Sequence, residues 1–398
     1  MVGAGAREHA LAWRLAQSPS LTELHAAPGN PGIAGLGQCH PVRADDGDGL
    51  LSLALTLEAD LVVIGPEAPL VAGIADELRR NGIAVFGPGA EAAQIEGSKA
   101  FAKDVMRAAG VPTAEKLSVA RPPCVVKADG LASGKGVFVC HTRDELDAAL
   151  KMAAAFGDAI VIEELLEGPE VSLFALTDGR TIVPLGAAQD FKRIGDGDSG
   201  PNTGGMGAYS PVDWLEDESE LYELVHRPVI EELARRGTPF VGCLFAGLMV
   251  TGDGPKVLEY NARFGDPETQ VLLPRFQGDL LELLAAAARS DLSGAAASVR
   301  DDAAVTVVLA APDYPARSDY AGRRIDGIEA AEATGALVFH GGTAVRDGTL
   351  VTNGGRILSV TGTGPTIAAA RDRAYGAVDL ISFEGVQFRR DIAAAAGA

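Results

Sequence analysis

A chain of 398 residues exceeds one hydrophobic core of ordinary size, so two to four domains are expected. Hydrophobic residues at 47% and charged residues at 22% give the balance of a soluble globular protein, and the apolar runs, such as 242–250, are too short and glycine-interrupted to span a bilayer. A formal net charge of −20 excludes phosphate polymers and anionic membranes as general partners, while leaving room for a local cationic pocket that holds a small anion.

Residues 1 to about 90 alternate strand and helix patterns. The apolar runs 61–64 and 84–86 each end in Gly-Pro, and the segment 70–81 between them puts Val71, Ile74, Ala75 and Leu78 on one helical face. Strand, helix, strand with short turns predicts an open parallel α/β sheet. No clear strand precedes Gly3. A helix is expected over 91–110, stopped by Gly110-Val111-Pro112. Strands at 124–127, 137–140 and 160–163 then surround a helix at 142–154, where Thr142 and Glu145 match a capping box. That is a small separate α/β module over 113–170. Strands at 171–176, 181–185, 244–250 and 256–260, with helices at 218–236 and 278–288, make a larger unit with 91–112, ending near 300. A β-rich end over 301–398 closes with a helix at 366–380. Cys39, Cys124, Cys140 and Cys243 form no CxxC pair and predict reduced thiols of a cytoplasmic protein. The start has no basic, apolar leader, so no secretion signal is expected.

Five stretches can carry chemistry. Gly3-Ala4-Gly5 feeding a helix is either a phosphate-holding turn or a tight strand–helix corner, since Glu8 stands where a third glycine would be. Lys127 ends an apolar strand and needs an anion; Gly130, Ser133, Gly134, Lys135 and Gly136 follow it. Their amides suit phosphates as a closing lid, although the spacing is not that of a Walker A loop; the alternative is a flexible hairpin with a solvated lysine. Glu163, Glu164, Leu166 and Glu170 end a strand, either around an adenosine or merely in water. Glu259, Asn261 and Arg263 share one strand face. An oxygen pair at that spacing suits Mg²⁺, with Arg263 ready for a carboxylate or phosphate; a cross-face salt bridge is the alternative. Finally Asp190, Lys192 and Arg193 precede a glycine-rich loop with Asn202, Thr203 and Gly204, which is either disordered or shaped around a ligand. The six histidines show no metal-ligand spacing.

Together the stretches GAREHALAW, APGNPG, IGPEAPLV, EGSKAF, VKADGLASGKGV, VIEELLEG, QDFKR, GPNTGGMGAYSP, EYNARFGDPETQ and TNGGRILSVT resemble the ATP-grasp ligases over nearly the whole chain. GPNTGGMGAYSP and RFGDPETQ narrow the resemblance to the family that joins glycine to 5-phosphoribosylamine. The resemblance implies an ATP-grasp fold with an N-terminal open parallel domain and a β-rich C-terminal domain. It implies that Lys99, Lys127 and Gly130–Gly136, Ser133 and Lys135 included, hold ATP phosphates, with Glu163, Glu164, Leu166 and Glu170 around adenine and ribose. Glu259 and Asn261 would carry Mg²⁺ or Mn²⁺. Gly29, Asn30, Glu67, Asp190, Lys192, Arg193, Asn202, Thr203, Gly204, Arg263 and Asp266 would line the two substrate sites, with Arg263, Lys127 and Asp190 closest to the chemistry. The implied partners are small molecules, with no nucleic acid or membrane, and the implied state is a monomer or dimer. Two departures are visible. Only Met1 and Val2 precede Gly3, so the first strand is expected to be missing, and the segment from Pro112 to Val125 is short, so the lid is expected to be trimmed.

A nicotinamide oxidoreductase would also use a glycine turn, but Glu23 precedes the next strand pattern instead of ending it. Another ATP-grasp carboxylate ligase or carboxylase is distinguished by the loops around Lys192 and Asn202. An ATP-binding scaffold without catalysis is opposed by the presence of Lys127, Glu259, Asn261 and Arg263.

Overall fold

The computed structural model describes residues 1–130, 136–157, 159–215 and 217–397. Five short strands form the first layer: β1 (Val2–Gly3), β2 (His25–Pro28), β3 (Gln38–Cys39), β4 (Leu61–Val63) and β5 (Ala84–Phe86). β2 pairs with both β1 and β3, β4 pairs with β5, and a Val2–Ile64 bridge joins the two groups, all in parallel. The order is therefore β3-β2-β1-β4-β5, and the winding reverses between β1 and β4, where the crevice at the strand ends is the place for a ligand. The first strand, expected to be missing, is present with two residues. The neighbours keep their partners, because the Ala27 amide donates to Met1 O at 2.9 Å, Gly29 to Gly3 O at 3.1 Å and Gly65 to Val2 O at 3.0 Å.

Two expected helices are each split. Gly73 at φ 85° separates Glu67–Val71 from Ile74–Arg80, a conformation glycine adopts without steric penalty. Ser98, in extended conformation, separates Ala90–Gly97 from Lys99–Ala109 and caps the second helix by accepting from the Phe101 amide. Lys99 thereby begins a helix instead of sitting inside one.

The small module has β6 (Cys124–Ala128) between β7 (Val137–Cys140) and β8 (Ile160–Glu164), all antiparallel. Helix Arg143–Ala153 covers it, started by the reciprocal Thr142–Glu145 capping box. Its own core is Cys124, Val126, Ala128, Cys140, Leu146, Ala149 and Ala153. The four cysteines are free thiols, although Cys124 and Cys140, distant in sequence, are register partners across β6 and β7.

An eight-stranded antiparallel sheet carries the rest. Across it run Gly254–Asn261, Val241–Thr251, Glu170–Asp178, Ile182–Asp190, Gly207–Ser210, Ala303–Ala310, Arg356–Gly364 and Leu337–His340. The β-rich end expected over 301–398 thus continues the central sheet. Alternation along Glu170–Asp178 explains its burial on both faces. Leu173 and Ala175 pack with Val229, Ile230 and Leu233, whereas Phe174 and Leu176 pack with Leu280, Leu283 and Leu284. The glycine-rich loop is a short hairpin, Arg193–Gly195 against Ser199–Asn202, and not a disordered segment. Among the described residues no helix is long and apolar enough to cross a membrane.

Candidate active site

The small module docks on the edge of the large sheet: the Thr113 hydroxyl donates to Val257 O at 2.7 Å, and Lys256 pairs with Glu164 at 2.9 Å. Lys127 lies at that junction. All residues of β6 are buried, so its ammonium needs an anion, and it donates to Glu163 at 2.7 Å and to Leu258 O at 3.0 Å. Glu163, 2% exposed, also receives Lys103 at 2.8 Å, and is held between two cations. Strand alternation turns Glu164 the other way, towards Lys256 and the Glu115 amide at 3.0 Å. Leu166 is buried, and Glu170 opens the next strand. Lys99 donates to Gly130 O at 3.1 Å while its amide donates to Asp129 at 2.6 Å, which ties this helix start to the beginning of the glycine loop. Gly136 O accepts from the Ala128 amide at 2.8 Å; Ser133, Gly134 and Lys135 lie outside the described residues.

Glu259 is the focus of the cations. Burial would raise its carboxyl, but Lys192, Lys127, Lys99 and Arg263 together hold it below the usual carboxylate range. Asn261, on the same face of the edge strand, accepts from Arg263 at 3.3 Å. Arg263 is clamped by Glu96 at 2.9 Å and Glu67 at 3.3 Å, and the Ala262 amide takes Glu96 at 2.7 Å. The two acids differ. Burial pushes Glu96 up to about 7 against the pull of Arg263, whereas Arg263 and Arg7 outweigh burial at Glu67 and bring it to about 2. Glu67 follows β4 at the winding reversal, so Arg263 links the large sheet to the first layer.

Lys192 donates to Glu170 at 2.5 Å. Burial would lower its ammonium, but Glu170, Asp190 and Glu259 hold it well above the usual lysine value. Asp190 is pushed up to about 7 by burial, opposed by Lys192 and reinforced by Glu268, Glu170 and Glu259. Glu268 is buried too, accepting from Ser172 at 3.2 Å, and burial raises it.

Other expected site residues serve as braces in this structure. Asn30 donates to Ala4 O at 2.9 Å and His340 O at 2.7 Å while accepting from the Ile33 amide at 3.0 Å. Gly29, at φ 71°, forms the turn beside it. Arg193 donates to Gly200 O at 2.8 Å within its hairpin, where it is paired with Asn202. Thr203 donates to Lys192 O at 2.8 Å, and the Gly204 amide donates to the Tyr314 hydroxyl at 2.8 Å. Asp266 is paired with Arg356 at 3.1 Å. At the first glycine turn the Glu8 carboxylate accepts the Gly5 amide at 2.6 Å, which favours the tight-corner reading over a phosphate-holding turn. Sequence reasoning did not single out Glu96, Lys103, Glu268 or Arg356. The one usable signal was Lys103, four residues after Lys99 and so on the same helix face.

The donor set fits a hard divalent cation: one carboxylate and one carboxamide oxygen on one strand face, with water and phosphate supplying the rest. Among the described residues no group of three or more His, Cys, Asp or Glu could hold a metal ion.

A lysine-bearing antiparallel module docked on the edge of a large antiparallel sheet, with an acid–amide pair on the edge strand, defines an ATP-grasp protein. Residues 97–269 match the ATP-grasp (A) domain of phosphoribosylglycinamide synthetase, residues 1–96 its N domain and residues 304–395 its C domain. The chain is 52% identical to phosphoribosylamine–glycine ligase of Streptomyces coelicolor, across 100% of this chain and 99% of that one. It is 49% identical to the enzyme of that name from Mesorhizobium japonicum, covering 98% and 96%. The crystal structure of phosphoribosylamine–glycine ligase from Thermotoga maritima superposes with a TM-score of 0.84 at 35% identity, over 98% of both chains. The chain belongs to the phosphoribosylglycinamide synthetase family. The biotin carboxylase domain of Hydrogenobacter thermophilus 2-oxoglutarate carboxylase, at TM-score 0.68 and 19% identity over 97% of this chain and 90% of that one, shares the fold.

Proposed function

We propose that this chain joins glycine to 5-phosphoribosylamine with cleavage of ATP to ADP and phosphate, through a glycyl phosphate. The observation that carries this reading is the convergence of Lys99, Lys127, Lys192 and Arg263 on the buried Glu259 beside Asn261, in a chain of net charge −20. Lys99 and Lys127 hold the nucleotide phosphates with the loop from Gly130 to Gly136, and Glu163, Glu164, Leu166 and Glu170 flank the nucleoside. Glu259 and Asn261 hold Mg²⁺ or Mn²⁺, which neutralises phosphate charge when bound.

Arg263, fixed by Glu67 and Glu96, holds the glycine carboxylate and the acyl phosphate that develops on it. A carboxylate oxygen of glycine attacks the γ-phosphorus and ADP leaves. The amine nitrogen then attacks the acyl carbon, the carbon–oxygen bond to phosphate breaks, and Asp190 takes the proton lost from nitrogen. With a carboxyl near 7, Asp190 is matched to that task at neutral pH. Lys192 and Asp266 complete the substrate sites, with Gly29, Asn30, Arg193, Asn202, Thr203 and Gly204 shaping the loops. Positioning and charge neutralisation supply the rate, so no nucleophilic side chain is needed. The four free cysteines are consistent with a cytoplasmic location, and the partners are small molecules.

The test is phosphate release by the purified chain with ATP, Mg²⁺, glycine and freshly made phosphoribosylamine. Release should require both co-substrates and be lost in Glu259→Ala; release with ATP alone at the same rate would defeat the reading.

A further inference from the structure

The segment after the last helix returns to the loop that carries Lys192. Helix Ile367–Val378 pins this segment: the Tyr375 hydroxyl donates to Arg389 O at 2.8 Å, and Arg371 donates to Ile392 O at 3.0 Å. Arg389 turns inward from there. It is 1% exposed, and a guanidinium so buried is tolerated only with its charge and donors matched. It forks onto Asp391 with two bonds of 2.7 Å, donates to Asp198 at 2.6 Å and to Arg193 O at 3.2 Å, and lies 5.0 Å above the Phe191 ring. Arg193 stands 196 positions earlier in the chain.

The hairpin Arg193–Asn202 is a weak unit by itself. Its two strands have a register shift between them and residues 196–201 are exposed, so its own pairing holds it only marginally in water. The C-terminal segment supplies what is lacking. The Gly197 amide donates to Asp391 at 2.8 Å, and Asp196 accepts from the Arg390 amide at 2.8 Å. The grip of Arg389 itself falls around one residue. It holds the ring of Phe191 and the carbonyl of Arg193, and Lys192 is the residue between them. Phe191 packs with the C-terminal core, while Lys192 reaches Glu170 at 2.5 Å. We propose that Arg389 is a positioning residue for the ligation: by fixing positions 191 and 193 it sets where the Lys192 ammonium stands in the substrate site. The proposal rests on the function above. Among the described residues Arg389 bonds to none of those assigned to ATP, so its loss is felt on the amine side of the reaction.

The experiment pairs lysine acetylation of the full chain by N-hydroxysuccinimide acetate, read by mass spectrometry, with steady-state phosphate release. In Arg389→Met, Lys192 should acetylate several-fold faster, with Lys99 and Lys127 unchanged. kcat should fall about 10–100-fold, the scale expected when a catalytic group is displaced by about 1 Å, with KM for ATP unchanged. Arg389→Lys, which keeps the charge but not the planar fork, should recover part of both. Asp198→Asn decides the matter if Arg389→Met does not fold. Asp198 is exposed at the hairpin tip with φ 51°, a conformation asparagine also adopts, so only the charge changes. It should move both readouts in the same direction by a smaller factor. Acetylation that rises equally at all three lysines would make Arg389 a brace of the fold alone and overturn the proposal. Lys192 acetylation or kcat unchanged in the folded variants would do the same. If the unaltered chain releases no phosphate, the ligase reading fails, and the selective change at Lys192 then decides the positioning by itself.

Discussion

Asp190 shows how its surroundings tune one buried carboxyl. Burial and the carboxylates Glu268, Glu170 and Glu259 lift it to about 7, with Lys192 limiting the rise. In the proposed role of proton acceptor it works only when ionised, so kcat should fall as pH drops through about 7 and level off above it. Asp190→Asn should abolish that limb and lower kcat by roughly 10²–10⁴-fold. A pH–rate profile unchanged in the variant would remove Asp190 from the chemistry. Lys127, Glu259, Asn261 and Arg263 were legible from sequence because a charged residue ending an apolar strand demands a partner, and strand alternation assigns a face. Glu96 and Lys103 were not, because an acid or lysine on a helix reads as a solvated charge until tertiary packing buries it. Glu96 reaches Arg263 from more than 160 residues away along the chain, a distance of 167 positions.

The module that carries Lys127 has a small core of its own, in which Leu146 on helix Arg143–Ala153 is 0% exposed. Leu146→Ala should cost about 2–5 kcal/mol, a large share of what so small a unit can hold. Hydrogen exchange should show the strands of this module opening ahead of the large sheet, and nucleotide affinity should fall with them. Uniform exchange across the chain would contradict this division. The strands were visible from their apolar runs and turn residues, and the capping box marked the helix start. The helix breaks were not. Gly73 and Ser98 are single residues whose effect depends on the backbone they meet, and sequence spacing continued through both. The first strand was also missed, since two residues give no periodicity and β1 is defined by its pairing with β2 and Ile64.

Across the molecule, buried histidines couple its parts to pH. His9, on the helix after the glycine turn, accepts the His340 amide of a C-terminal strand at 2.8 Å, and His226 lies within the central core. Burial lowers His9 to about 3 and His226 and His340 to about 4, with the neighbouring His340 adding to the effect at His9. The unfolded imidazoles take protons near the ordinary value of about 6.5, so acid favours the unfolded chain first. Stability should be full above about 6.5 and decline as pH falls towards 4, seen as a falling urea midpoint. A His9→Gln, His340→Gln variant should flatten part of that slope. The parallel first layer and the β-rich end were legible from element order, but their shared architecture was not. The pairing of Gly207–Ser210 with Ala303–Ala310, which makes one sheet of the centre and the end, joins segments almost 100 residues apart.

In the proposed reaction the γ-phosphoryl group passes through the carboxylate of glycine. Glycine labelled with ¹⁸O in both carboxylate oxygens, supplied with ATP and phosphoribosylamine, tests it by mass analysis of the released phosphate. Phosphate carrying one ¹⁸O atom per product formed is the expected result, because the carbon–oxygen bond breaks when the amine attacks. Unlabelled phosphate released in step with product would contradict it.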